Sequence, residues 1–130
     1  MKYKLIRLAA LSGAVAVILG ALGAHQLKTM LSASSLDSFD KGVKYQMYHT
    51  LLLLIMAISY KPEIEKEIKR IAIFLILGIS LFSFSIYLLS TQSITGFDFS
   101  FLGPITPLGG LALITAWLLL AFNAKKLFNN

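Results

Sequence analysis

Residues 42–58 read GVKYQMYHTLLLLIMAI. The second half, Leu51 to Ile58, is apolar at every position. The first half, Gly42 to Thr50, holds Tyr45, Gln46, Tyr48 and His49. On a helix, Tyr45 and His49 lie four apart and Gln46 and His49 three apart, so these side chains share one face. A polar face running directly into an apolar run describes a helix entering a bilayer with its polar side against protein. Hydrocarbon supplies no water, so those side chains require partners elsewhere in the chain.

Composition agrees with a membrane setting. Apolar residues make up 57% of the 130, and charged residues only 14%. Mean hydropathy is +0.78, well above that of a soluble domain. The length allows one domain. The chain has no cysteine, which excludes disulfides, thiolate zinc sites and Fe–S clusters. A net charge of +6 in a soluble protein would suggest nucleic acid. Here the basic residues flank apolar runs, as topology signals do, and no nucleic-acid-binding motif is present.

Four membrane spans are expected, at about residues 5–24, 43–60, 71–89 and 105–122, in an all-α integral membrane four-helix bundle. The first resembles a signal peptide in its basic start and its Ala-Leu-Gly-Ala at 21–24. From Leu5, however, it is long enough to cross a bilayer. Gly13, Gly20 and Gly23 fall on one side of it with Ala16, a face suited to close helix packing. Gly20 is expected at a contact and Leu19 in lipid. Ser34 and Ser35, before Asp37 and Asp40, read as an N-cap, so the second helix starts near Ser35. Leu36, Phe39 and Val43 share one side, facing the membrane interface or a neighbouring helix. Residues 61–70 read as a charged loop or short helix with Pro62 in its first turn, and with Glu65–Lys69 and Lys66–Arg70 at fourfold spacing. Residues 90–104, with Gly96, Gly103 and Pro104, read as an irregular interfacial loop.

Lys and Arg number three in the N-terminal segment, four in the middle loop and two after the last span. The other two loops hold three and none. Basic residues are retained in the cytoplasm, so both termini and the middle loop are expected there. This orientation aligns four patches in the outer leaflet: His25 and Gln26; Tyr45, Gln46, Tyr48 and His49; Ser83, Ser85 and Tyr87; and Thr106 with Gly109 and Gly110. The inner halves of the spans are almost purely apolar. A polar pocket or hydrogen-bonded network opening outward is therefore expected, with Gly109 and Gly110 as packing positions. His49 is expected to be buried, neutral and bonded through one ring nitrogen, with partners from His25 or Gln26, from Ser83, Ser85 or Tyr87, and from Thr106.

Gly20-Ala21-Leu22-Gly23-Ala24-His25, the 42–50 stretch, Leu81-Phe82-Ser83-Phe84-Ser85-Ile86-Tyr87, Ile105-Thr106-Pro107-Leu108-Gly109-Gly110 and Ala116-Trp117 follow one another in order. Together they resemble the YgdD/YwdK family of small bacterial inner-membrane proteins, a family of unknown function with distant mitochondrial relatives. The likeness covers nearly the whole chain. It departs at Phe84, where the family pattern usually has glycine between two serines. The resemblance implies four membrane helices in a bacterial inner membrane. It brings no activity, cofactor or substrate.

The residues themselves weigh against several chemistries. Haem needs two imidazoles across one porphyrin, but His25 lies at the membrane edge and His49 deeper. Zinc needs further ligands, and only Asp37, Asp40 and Asp98 are in the outer loops. No cofactor, metal or catalytic residue is assigned. His49 with Tyr45, Ser83 or Ser85 is the one candidate pair for catalysis or proton-coupled transport, and no carboxylate lies within a span. A pore would require a homo-oligomer, since four helices make a thin wall. The reading that asks least is a binding or structural module among membrane lipids, taking a lipid or small apolar ligand.

Overall fold

The computed structural model describes Met1 to Asn129, and every regular element among these residues is helical. Four long helices form the chain. Helix α1 (Lys2–Met30) contains one π turn, Gly23–Leu27. Helix α2 is Ala33–Ile58. Helix α3 (Pro62–Thr95) opens with a 3₁₀ turn and carries a second π turn, Ser80–Phe84. Helix α4 (Ser100–Phe128) is regular from Ile105.

Antiparallel hairpins follow from small residues. In α1–α2, a Cβ on Gly23 would lie 3.2 Å from Phe39, one on Gly20 3.4 Å from Val43 and one on Gly13 3.6 Å from Thr50. The α2 number rises as the α1 number falls, so the two helices run side by side in opposite directions. In α3–α4, a Cβ on Gly78 would meet Leu113 at 2.3 Å, and one on Gly109 would meet the backbone nitrogen of Phe82 at 2.3 Å. Gly110 is looser, with the Phe82 ring 3.7 Å away. Small residues allow such approach where packing, not water exclusion, drives association. Gly42 faces Tyr87, which accounts for a glycine within a helix.

Two apolar cores result. The inner one joins all four helices through residues such as Leu5, Leu53, Met56, Ile68, Leu75 and Ala116. The outer one is Leu27, Leu31, Phe39 and Tyr87. Leu36 and Val43 pack against the outer core, so their shared face meets protein. Leu19 packs there as well and is half-buried, not directed wholly into lipid.

Several local expectations are corrected. The cap of α2 is Ser32, whose extended backbone lets its hydroxyl accept from the Ser35 N–H at 3.2 Å. Residues 65–70 are the first turns of α3, not a separate loop. Glu65 accepts from the Tyr60 hydroxyl, and Glu67 pairs with Lys126 of α4, 2.7 Å away. Helix α3 continues to Thr95 and stops at Gly96, whose φ of 74° is a left-handed cap, so the outer loop is shorter than 90–104.

By length and composition, α1, α3 and α4 can each cross a membrane. Helix α2 falls short on composition. It begins with polar residues and turns Gln46, His49 and Thr50 inward. Its polarity is thus a consequence of its central place, between α1 and α3 with α4 alongside.

Candidate functional site

A belt of polar side chains separates the two cores. Gln46 is 5% exposed and bridges three helices. Its Nε2 donates to the Ser12 carbonyl of α1 at 2.9 Å, and its Oε1 accepts from the Tyr87 hydroxyl of α3 at 2.7 Å. Beside it, the Ser12 and Thr50 hydroxyls are 2.6 Å apart. Ser83 donates to the Gly42 carbonyl at 2.8 Å. Ser85 donates to the carbonyl of Leu81 at 2.6 Å, so the Thr106 hydroxyl, also 2.6 Å away, supplies its proton to Ser85. These bonds tie α1 to α2, α2 to α3 and α3 to α4.

Ser83 and Ser85 serve different neighbours. On a regular α-helix, residues two apart point about 200° apart. Ser83 reaches Gly42 of α2 and Ser85 reaches Thr106 of α4. The π turn at Ser80–Phe84 lies at this crossing, and Ser83, Ser85 and Tyr87 are all buried.

His49 is 6% exposed and engaged at both ring nitrogens. Nδ1 is 2.7 Å from the Tyr45 carbonyl, which can only accept. Nε2 is 3.2 Å from the indole N–H of Trp117, which can only donate. The proton is therefore assigned to Nδ1, and the lone pair of Nε2 faces α4. Neither partner is among those expected from α1, α3 or Thr106: one is a carbonyl of the same helix, one turn back, and the other is Trp117. Its signal in the sequence was a lone tryptophan deep in an apolar span, whose N–H must find an acceptor.

The remaining expected residues divide. Tyr45 and Tyr48 are exposed, at 42% and 56%, and their rings are 6.3 Å apart. Tyr45 also packs against Phe82 at 4.8 Å. His25 and Gln26 are exposed in the first π turn and take no side-chain part in the belt. Ser12, Thr50 and Trp117 belong to the site and were not among its expected members. Ser12 and Thr50 were legible only as hydroxyls within apolar runs. Phe84 is exposed and does not enter the belt.

The belt side chains named above are paired with one another or with nearby carbonyls. Next to the belt lies an open groove of about 590 Å³ between α2 and α4. Tyr45, Tyr48, His49, Phe82 and Trp117 line it, with Gly110 leaving room at its floor. Its lining is mainly aromatic and aliphatic. Among the described residues no three His, Asp or Glu side chains converge as metal ligands would.

Apolar helices joined by an internally satisfied polar belt define a multi-pass integral membrane protein. The family described as "Protein of unknown function (DUF423)" matches residues 19–110, and the chain belongs to it. It is 37% identical to the UPF0382 membrane protein of Haemophilus influenzae, with 97% of each chain covered. It is 38% identical to the UPF0382 membrane protein YwdK of Bacillus subtilis, covering 93% of this chain and 95% of that one. It is 34% identical to the UPF0382 inner membrane protein YgdD of Escherichia coli K12, covering 92% and 87%. No solved structure matches. The protein is a bacterial inner-membrane protein of uncharacterised activity.

Proposed function

We propose that this protein is a lipid-binding module of the inner membrane, with the α2–α4 groove as its binding surface and the polar belt as its brace. The observation that carries this reading is a division of labour. The buried belt satisfies itself, whereas the adjoining groove is unfilled, apolar and rimmed by two tyrosines. An acyl chain suits such a lining, and tyrosine rings suit its wetter end. His49 supports this role over catalysis or proton transfer, because both its nitrogens are committed within the protein. The test uses a phospholipid carrying a photoactivatable group midway along one acyl chain. In reconstituted vesicles, crosslinks are expected to concentrate on Tyr45, Tyr48 and Trp117 over the more exposed Leu11 and Ile18 of α1. Gly110→Leu, which fills the groove floor, should abolish that preference. Uniform labelling of both faces would discard the groove as a site.

In this reading all four helices cross the membrane, at about residues 5–24, 43–60, 71–89 and 105–122. Support for the second comes from its alignment along α1, from Phe39 beside Gly23 to Thr50 beside Gly13. Both termini then lie in the cytoplasm, as the nine-to-three distribution of basic residues requires. Alkaline phosphatase fused after Asn130 is expected to be inactive in a bacterial host. Strong activity there would reverse the orientation.

A further inference from the structure

A second cavity, of about 350 Å³, lies at the outer end of the α1–α2 hairpin. Its floor is apolar: Gly20, Gly23 and Ala24 of α1 leave space beside Phe39 and Val43 of α2. Its rim is charged. Lys28 stands on the α1 side, and Asp37 and Asp40 stand on the α2 side. Asp37 and Asp40 are three apart on one helix and share a face. Each gives only its Oδ2 to a lysine one turn on, Asp37 to Lys41 and Asp40 to Lys44, both at 2.6 Å. The Oδ1 atoms take no partner among the described residues, and neither Lys41 nor Lys44 lines the cavity. Lys28 has no ion-pair partner among the described residues. The Asp37 carboxyl is held below the usual carboxylate range by the hydrogen bond and charge of Lys41, so it is ionised at neutral pH.

An apolar trough that ends in one cation facing two carboxylates complements one kind of molecule closely. That molecule has an apolar tail, a phosphate and a primary ammonium group. We propose that the cavity binds a zwitterionic amine-bearing phospholipid of the outer leaflet. The ammonium lies between the Oδ1 atoms of Asp37 and Asp40, the phosphate lies at Lys28, and an acyl chain follows the Gly20–Gly23 floor. An anionic lipid with a glycerol head lacks the ammonium and places net negative charge beside two carboxylates. A quaternary choline head has the charge but no N–H to donate. This site is distinct from the α2–α4 groove, and its test is independent of that groove.

The test is native mass spectrometry of the detergent-purified protein. It is mixed with equal amounts of phosphatidylethanolamine, phosphatidylglycerol and phosphatidylcholine bearing the same acyl chains. Phosphatidylethanolamine adducts are expected to exceed each of the others about fivefold. The double variant Asp37→Asn/Asp40→Asn should bring the three lipids to parity. Lys28→Gln should lower all three adducts together, because all carry phosphate. Ala24→Leu, at an exposed position on the floor, should lower total adducts and keep the thermal stability of the parent. The Gly110→Leu groove variant should leave the preference intact. Equal retention of the three lipids by the unaltered protein would overturn the proposal. So would a preference that survives the double aspartate variant.

Discussion

Gly109→Ala is expected to destabilise the bundle by about 3 kcal/mol, at the upper end of ordinary overpacking costs. The added Cβ would lie 2.3 Å from the Phe82 nitrogen, 2.7 Å from the Leu81 carbonyl carbon and 2.8 Å from the Phe82 Cα. All three are backbone atoms, so no side-chain rotation relieves the clash. Helix α4 must move away from α3. That movement would stretch the Ser85–Thr106 bond, which lies one turn toward the outer side. Gly110→Ala is the control, since its nearest neighbour would be the Phe82 ring at 3.7 Å, an ordinary contact. Thermal unfolding in one detergent should separate the two neighbours clearly. Equal melting temperatures would mean that α3 and α4 do not meet at Gly109.

The second large effect is expected at Gln46. Gln46→Leu removes the amide that joins Ser12 of α1 to Tyr87 of α3. The Tyr87 hydroxyl then loses its acceptor inside an apolar setting. Two interhelical bonds and one orphaned hydroxyl amount to about 2 kcal/mol. Tyr87→Phe alone should cost about 1 kcal/mol, because the Gln46 oxygen is left without its donor. The double variant should be no worse than Gln46→Leu, because deleting the hydroxyl removes the orphan. Unfolding free energies of the four proteins form a cycle with a coupling of about 1 kcal/mol. Strict additivity would show that Gln46 and Tyr87 do not interact.

The two predictions differ in how far the sequence could reach them. Gln46 announced itself as an amide on the face of a helix entering an apolar run, and Tyr87 as a polar residue at the outer end of another. That they bond to each other required the register of α2 against α3. Gly78 shows the opposite case. It makes one of the tightest contacts in the bundle, yet nothing marks it in an apolar run. Gly13 was marked by spacing and makes only an ordinary contact. Small-residue spacing identifies a face that can approach, but not how near the partner comes.

By itself the sequence determined the all-α membrane bundle, a shared level of polar side chains and the small-residue faces. These follow from periodicity and hydropathy, which are local properties of the chain. Tertiary structure alone decided which polar groups meet. Ser83 met the Gly42 carbonyl of α2, and Ser85 met Thr106 of α4, across the π turn at Ser80–Phe84. The depth of α4 against α2 gave His49 to Trp117 and left His25 exposed in its own π turn. Partners across helices are fixed by register and rotation. Both depend on the summed packing of whole faces, which no single stretch of sequence contains.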